Sequence, residues 1–356
     1  LKKSKWVLRP ESSKLLNLDF LRFVAAIGIV WFHYGSTLID PIKERLEAFL
    51  LFVDLFFVIS GYVIAYVYGG RLGSGHDYQV FLRKRVARLI PLHWVTLGLY
   101  VALGLALGTN AKYPDMFNWQ CLIPTTFLMH SFGICTTPSF NYVSWSISAE
   151  FAMYIAFPLL FAVARLRWVP LAAVVIIFVI LFQITSGAHP WYIWTHDFGV
   201  VRALPAFLFG LSLFVYRDEL KRVPAPTTGM FITLALFFWG SFTRTSMGAL
   251  VPLIYAVVFF GVAADVQDRR IWMVKRIAPL GQLTYSVYML HLPLQTFLLA
   301  RVPLDGFARV TWYVLGCFIL MAVSWASLVL FETPMRRWIS GKAKEVTVID
   351  VLRPRR

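Results

Sequence analysis

The stretch Leu18-Asp19-Phe20-Leu21-Arg22-Phe23-Val24-Ala25-Ala26-Ile27-Gly28-Ile29-Val30-Trp31-Phe32-His33-Tyr34 carries three ionisable side chains in a run otherwise apolar enough to cross a bilayer. Eleven steps separate Arg22 from His33. At about 100° per residue they make three turns plus about 20°, so the two side chains share a helical face. Asp19 falls about 40° to the other side. Ionisable groups in a membrane are rare and usually turn toward an interior cavity, which makes this stripe a candidate functional face. A core histidine hydrogen-bonded to a neighbouring helix would leave the same trace, so the rest of the chain must separate the two readings.

The surrounding composition sets the fold class. Of 356 residues 59% are hydrophobic and 15% charged, with mean hydropathy +0.68. Soluble domains carry roughly 25% charge, so the chain reads as an all-α, polytopic integral membrane protein. The ten-residue alternation of a membrane barrel does not occur. Ten apolar spans are expected, near 17–38, 48–68, 90–108, 146–164, 168–186, 198–216, 228–243, 247–264, 281–300 and 309–330. The seventh is the shortest, and its hairpin to the eighth, Ser241–Ser246, holds the single charge Arg244. The first apolar run is too long for a cleavable signal and lacks a small-residue cleavage site. One helical membrane domain, 17–335, is expected between basic tails 1–16 and 336–356, with no repeat and no low-complexity tract.

The net charge of +16 suggests nucleic acid until its placement is examined. With ten spans and both ends on one side, that side carries 26 of the 34 Lys and Arg, and the opposite loops carry six. This asymmetry follows the positive-inside rule, so both termini are expected to be cytoplasmic and no nucleic-acid partner is implied. Cys121 and Cys135 fall in the longest outer loop, 109–145, where an oxidising compartment would allow them to pair. Aromatics of the outer loops (Tyr113, Phe117, Trp119, Phe140, Trp191, Tyr192, Trp194) suit either stacking on sugars or anchoring at the interface.

Polar residues recur at the starts of several spans. Arg83, Lys84, Arg85 and Arg88 precede Pro91, which suits the first turn of a helix or a kink near the interface. Arg85 and Arg88, three apart, are neighbours on one face, and two guanidinium forks are well shaped to clamp phosphates. Contact with anionic lipid is the plainer reading of that cluster. In the second span, Asp54 lies near the outer end and is a candidate partner for His33, whereas Gly61 suits close helix contact and Ser60 is placed to donate across a helix interface. Glu150 sits about one turn into the fourth span, four residues after Ser146 and four before Tyr154, on one face with both. Trp145 stands at the boundary, where an anchor is also expected. The ninth span holds Tyr288 and His291 three apart, with Ser286 less well aligned; His291 is a second candidate base, and a structural hydrogen bond accounts for it at least as well. Glu332 and Pro334 resemble a stop at the cytoplasmic edge. There is no His-x3-His, His-Glu-x-x-His, Walker loop or Gly-x-Gly-x-x-Gly, so no metal is expected.

Together these segments resemble the membrane acyltransferase-3 family over nearly the whole chain. The similarity rests on Arg22-x10-His33, Asp54-Leu-Phe-Phe-x-x-Ser60-Gly61, Arg85-x-x-Arg88, Trp145-Ser146-x-x-x-Glu150 and Thr284-Tyr-Ser-x-Tyr288-x-x-His291, in that order. The resemblance implies transfer of an acyl group, usually acetyl, from cytoplasmic acetyl-CoA or another acyl-CoA to a hydroxyl of a glycan, a lipid-linked saccharide or another envelope molecule. It implies a bacterial inner membrane as the location. His33 is then the expected base, with Asp19, Asp54 or Glu150 orienting it. Arg85, Arg88 and Arg22 are the expected contacts to CoA, and Trp145, Ser146, Tyr288 and His291 face the acceptor. An acyl-His33 intermediate is the alternative to direct attack. Some members carry an added hydrolase-like domain for which this chain has no length, so transfer is expected to be completed within it. A transporter or flippase of glycan or acyl units is the competing class, although no duplicated half with matching broken helices is visible.

Overall fold

The computed structural model describes residues 15–35, 40–106, 116–166 and 190–341, together with the helical residues Ala172, Val174, Ile177 and Ile180. Every regular element among the described residues is helical. The principal helices are α1 (Leu16–Gly35), α2 (Phe52–Tyr68), α3 (Gly75–Ala106), α4 (Trp145–Ala164), α5 (Gly199–Val215), α6 (Pro226–Phe242), α7 (Met247–Val266), α8 (Thr284–Phe297), α9 (Gly306–Ala326) and α10 (Thr333–Ser340). Six helical stretches are long and apolar enough to cross a membrane: Leu16–Gly35, Ile42–Tyr68, Gly75–Ala106, Tyr142–Ala164, Met247–Val266 and Gly306–Ser340. Two more apolar helices, α5 and α6, are shorter. The chain is thus a helical membrane protein. The span expected at 168–186 and most of both tails lie outside the described residues.

Three boundaries differ from the hydropathy reading, each for a local reason. The third span starts not near 90 but at Gly75, so Pro91 lies inside a 32-residue helix. Ser74 caps that helix: its hydroxyl accepts from the Asp77 amide at 3.2 Å and donates to the Asp77 carboxylate at 2.8 Å. Phe81, Ala87 and Leu89 are buried along this stretch, and the basic cluster lies within the helix. α8 has 14 residues, about 21 Å by helical rise, and a 3-10 turn over Ala278–Leu283 lengthens it. Glu332 and Pro334 do not stop the last span. A π-helical turn, Ser327–Glu332, leads into α10, where Pro334 falls in the first turn and costs no hydrogen bond. Glu332 is buried there, accepting from Ser286 at 2.5 Å and Ser327 at 3.0 Å and pairing with Arg336 at 3.0 Å.

Two long-range contacts set the frame. Asp265, at the end of α7, caps the start of α1: its carboxylate accepts from the backbone amides of Asn17 (2.9 Å) and Leu18 (3.1 Å) and from the Asn17 side chain (2.8 Å). Those amides are the donors that a helix cannot satisfy itself. The second contact is α2 against α5, where Gly61 faces the Phe207 carbonyl and Gly210 faces the Val58 carbonyl. A Cβ at either position would collide with backbone, which cannot swing away as a side chain can. Small residues let the helices approach this closely. We therefore expect Gly210→Ala to cost about 1–3 kcal/mol, as overpacking does. Thermal unfolding in detergent checks it; an unchanged midpoint would mean that α5 slides without penalty.

Candidate active site

α2 builds one wall of the site. Val53, Phe56, Phe57, Ser60, Val63 and Ile64 recur at the spacing of one helical face and line a cavity of about 720 Å³, measured out to its open mouth. Arg22 enters from α1, Arg85 and Arg88 from α3, Ser146, Glu150 and Tyr154 from α4, and Thr284, Tyr285 and Tyr288 from α8. Five helices separated in sequence thus converge on one space. Its polar groups are three guanidiniums, one carboxylate and several hydroxyls, against largely apolar walls.

Glu150 is the centre of a compact polar group. Ser60 donates to its Oε1 at 2.5 Å, and the Tyr154 hydroxyl donates to the same oxygen. Ser60 and Tyr154 lie 2.9 Å apart, oxygen to oxygen. Ser60 donates across a helix interface, as its place in the second span suggests, and the acceptor is the Glu150 carboxylate. Its position on the stripe Val53, Phe57, Ser60 and Ile64 was the signal available, a lone hydroxyl on an otherwise apolar face. Beside it Arg85 sits in an aromatic cage, its guanidinium carbon 5.6–5.8 Å from the rings of Tyr68, Phe81 and Tyr154. This is the distance range of cation–π attraction. Arg83, in contrast, is exposed.

Arg22 lines the cavity while its guanidinium meets Asp19 at 3.3 Å. Asp19 therefore pairs within α1, one turn away. Asp54 does not reach His33 either. Arg202 of α5 grips its carboxylate through Nη2 at 2.7 Å and Nε at 3.2 Å, with both side chains about 1% exposed. Helical geometry explains the direction: Asp54 lies about 120° around α2 from Ser60, away from the cavity-facing stripe. Arg202 also donates to the carbonyls of Leu50 and Trp194.

Trp145 is corrected too. It is neither at an exposed boundary nor on the cavity wall, but is buried with the Arg202 guanidinium 5.3 Å from its ring centre. The outer-loop aromatics divide similarly. Phe117 and Phe140 are buried in a small separate core with Leu97 and Tyr100, and Trp191 is buried in the main core, so none of the three presents a face to a sugar. Tyr113 lies outside the described residues. Cys121 and Cys135 form a disulfide in the segment between α3 and α4.

His33 is not among the residues that line the cavity. Tyr288 is, and its hydroxyl accepts from Ser146 at 2.7 Å and donates to the Val143 carbonyl at 3.0 Å. Phe56 packs edge to face on Tyr288, with ring centres 6.2 Å apart. His291 follows one turn later. It is completely buried, so it does not face an acceptor as expected; its Nε2 lies 3.1 Å from Nδ1 of His33. The half-buried His33 ring also packs near Tyr142, and its backbone carbonyl accepts from Gln295 at 3.3 Å. Ser286 turns away from this pair toward Glu332.

A helical membrane protein whose cavity gathers three guanidiniums and a carboxylate is the class that these features define. The chain belongs to the acyltransferase domain family of the acyltransferase-3 type, which matches residues 15–329. Among curated relatives, Acyltransferase MdmB of Streptomyces mycarofaciens is 30% identical over 170 residues, covering 44% of this chain and 41% of that protein. Protein 2 in picA locus of Rhizobium radiobacter is 38% identical over 99 residues, covering 26% and 48%. O-acetyltransferase OatA of Staphylococcus aureus is 23% identical over 362 residues, covering 91% and 57%. The chain therefore spans about half the length of the relatives that it matches. No solved structure matches it.

Proposed function

We propose that the protein is a membrane O-acyltransferase that moves an acyl group, acetyl foremost, from acyl-CoA to a hydroxyl of an envelope glycan or lipid-linked saccharide. The observation that carries this reading is the convergence of Arg22, Arg85 and Arg88 with Glu150 in one apolar-walled cavity. Guanidinium forks suit the phosphates of CoA, and the apolar walls suit its pantetheine arm. The charge asymmetry of the loops supports placing the arginine end at the cytoplasmic face of a bacterial inner membrane, with ten spans and both termini inside. That is the side on which acyl-CoA is made.

His33 lies about 16 Å above Arg22 by helical rise, toward the outer half of α1. In this reading its imidazole takes the proton from the acceptor hydroxyl, and the oxygen attacks the thioester carbonyl. The C–S bond then breaks, the CoA thiolate leaves, and the proton held on His33 returns to it or to solvent. Glu150, held by Ser60 and Tyr154, orients the groups at mid-depth, and Ser146 with Tyr288 meets the acceptor. Tyr288 and Phe56 must part to join the donor cavity to His33. Membrane lipid surrounds the α-helical body, and no metal takes part in the scheme.

Arg85→Ala combined with Arg88→Ala is expected to raise KM for acetyl-CoA at least about tenfold, since hydrogen bonds to charged groups contribute about 1.5–3 kcal/mol each. Radiolabelled acetyl transfer to a polysaccharide acceptor measures it. Unchanged KM, or vectorial movement of saccharide with no thioester consumed, would overturn the reading in favour of a transporter.

A further inference from the structure

We propose that His291 is a positioning residue for His33: its Nε2 lone pair shares the Nδ1 proton of His33, so that Nε2 of His33 is the nitrogen left bare to accept a proton. This inference rests on the reading of His33 as the base. Its own evidence is a chain of three polar contacts whose donors follow from chemistry alone.

The chain begins at His291. Its Nδ1 lies 2.7 Å from the carbonyl of Tyr288. A carbonyl only accepts, so Nδ1 of His291 carries hydrogen, and in the neutral ring Nε2 is then an acceptor. That Nε2 lies 3.1 Å from Nδ1 of His33. The same Nδ1 of His33 lies 3.0 Å from the carbonyl of Ile29, one turn back on α1. Two acceptors thus face one nitrogen, which must be the protonated one. The opposite arrangement, with hydrogen on Nε2 of His291, would leave two ring nitrogens facing carbonyl oxygens lone pair to lone pair. One assignment therefore satisfies all three contacts.

The consequence is electrostatic. When His33 accepts a proton at Nε2, it becomes an imidazolium whose Nδ1 hydrogen still points at His291. A neutral imidazole then does what a carboxylate does in the commonest histidine-based sites: it orients the ring and stabilises the charged form. The candidate carboxylates are engaged elsewhere, Asp54 by Arg202, Asp19 by Arg22, and Glu150 by Ser60 and Tyr154. Complete burial of His291 keeps water from competing for its lone pair. Tyr34, whose hydroxyl donates to the His291 carbonyl at 3.4 Å, holds this part of α8 in place. Nothing in the arrangement requires His291 to touch either substrate.

The test uses full-length protein, selectively 15N-labelled at histidine and reconstituted in nanodiscs, with His33 assigned by its absence in His33→Gln. The expected spectrum shows His33 protonated at Nδ1 and bare at Nε2. His291→Gln, whose amide oxygen can accept from Nδ1, is expected to keep that tautomer and most of kcat. His291→Leu, which cannot accept, is expected to lower kcat about tenfold or more with KM for acetyl-CoA unchanged, a loss of transition-state stabilisation. Protonation of His33 at Nε2 in the wild type would overturn the proposal, as would equal kcat in the Gln and Leu variants. If the Leu variant does not fold, the wild-type spectrum and the Gln variant still decide. Because the tautomer is read without turnover, a His33→Ala enzyme that still transfers acetyl would defeat the base assignment and leave this arrangement standing.

Discussion

His33→Ala is expected to lower kcat for acetyl transfer by about 100- to 10,000-fold, the range that a positioned general base contributes. Acetyl-CoA affinity should change by no more than about twofold, because His33 stands outside the cavity that holds the three arginines. The separation of effects is what makes the measurement informative. Arg85 and Arg88 substitutions are expected to act on donor binding, and His33 substitution on the chemical step. His33→Gln serves as a partner variant, since it keeps a polar side chain beside His291 and Ile29 while removing the basic nitrogen. Equilibrium binding of labelled acetyl-CoA and single-turnover transfer give the two quantities. Trapping of acetyl on His33 after donor alone would replace direct attack with a covalent route. Transfer that persists in both variants would remove His33 from the mechanism.

The second large effect concerns folding. Asp54→Asn or Arg202→Met is expected to destabilise the protein by about 3–5 kcal/mol, because either change strands a buried partner. Replacing both residues together with apolar ones is expected to recover part of that loss. The recovery is incomplete because the Leu50 and Trp194 carbonyls also lose the guanidinium. Denaturation midpoints of the single and double variants, at equal expression, read this directly. A carboxylate serving His33 would behave differently: Asp54→Asn would fold as the wild type does and fail only in transfer. That outcome would restore the reading of Asp54 that its place in the second span suggests.

Hydropathy and spacing located most of the helices because burial in lipid acts on composition over whole spans. The Arg85–Arg88 pair and the Ser146–Glu150–Tyr154 face were legible because each depends on the period of one helix. Five ordered motifs sufficed to indicate the family. The partnerships that spacing could not name share another property. Asp54 and Arg202 stand 148 positions apart, Ser60 and Glu150 ninety apart, and His33 and His291 258 apart. No local period links such partners.

The α3 start was missed for a different reason. Hydropathy detects where a helix enters lipid, whereas Ser74 and Asp77 cap it about fifteen residues earlier. Trp145 was misplaced because interfacial preference is an average, and the side chain instead covers a buried cation.

From its residues alone, then, the chain is committed to apolar helices, a charge asymmetry and a set of ionisable groups at given helical phases. Phase says which way a side chain points but not what it meets. Whether a carboxylate serves an arginine, a serine or a histidine depends on which helices pack together. That packing was set by long-range shape, such as Gly61 and Gly210 letting α2 and α5 touch backbone to backbone. The turning of Asp54 to Arg202 and the meeting of His33 with His291 are products of that assembly.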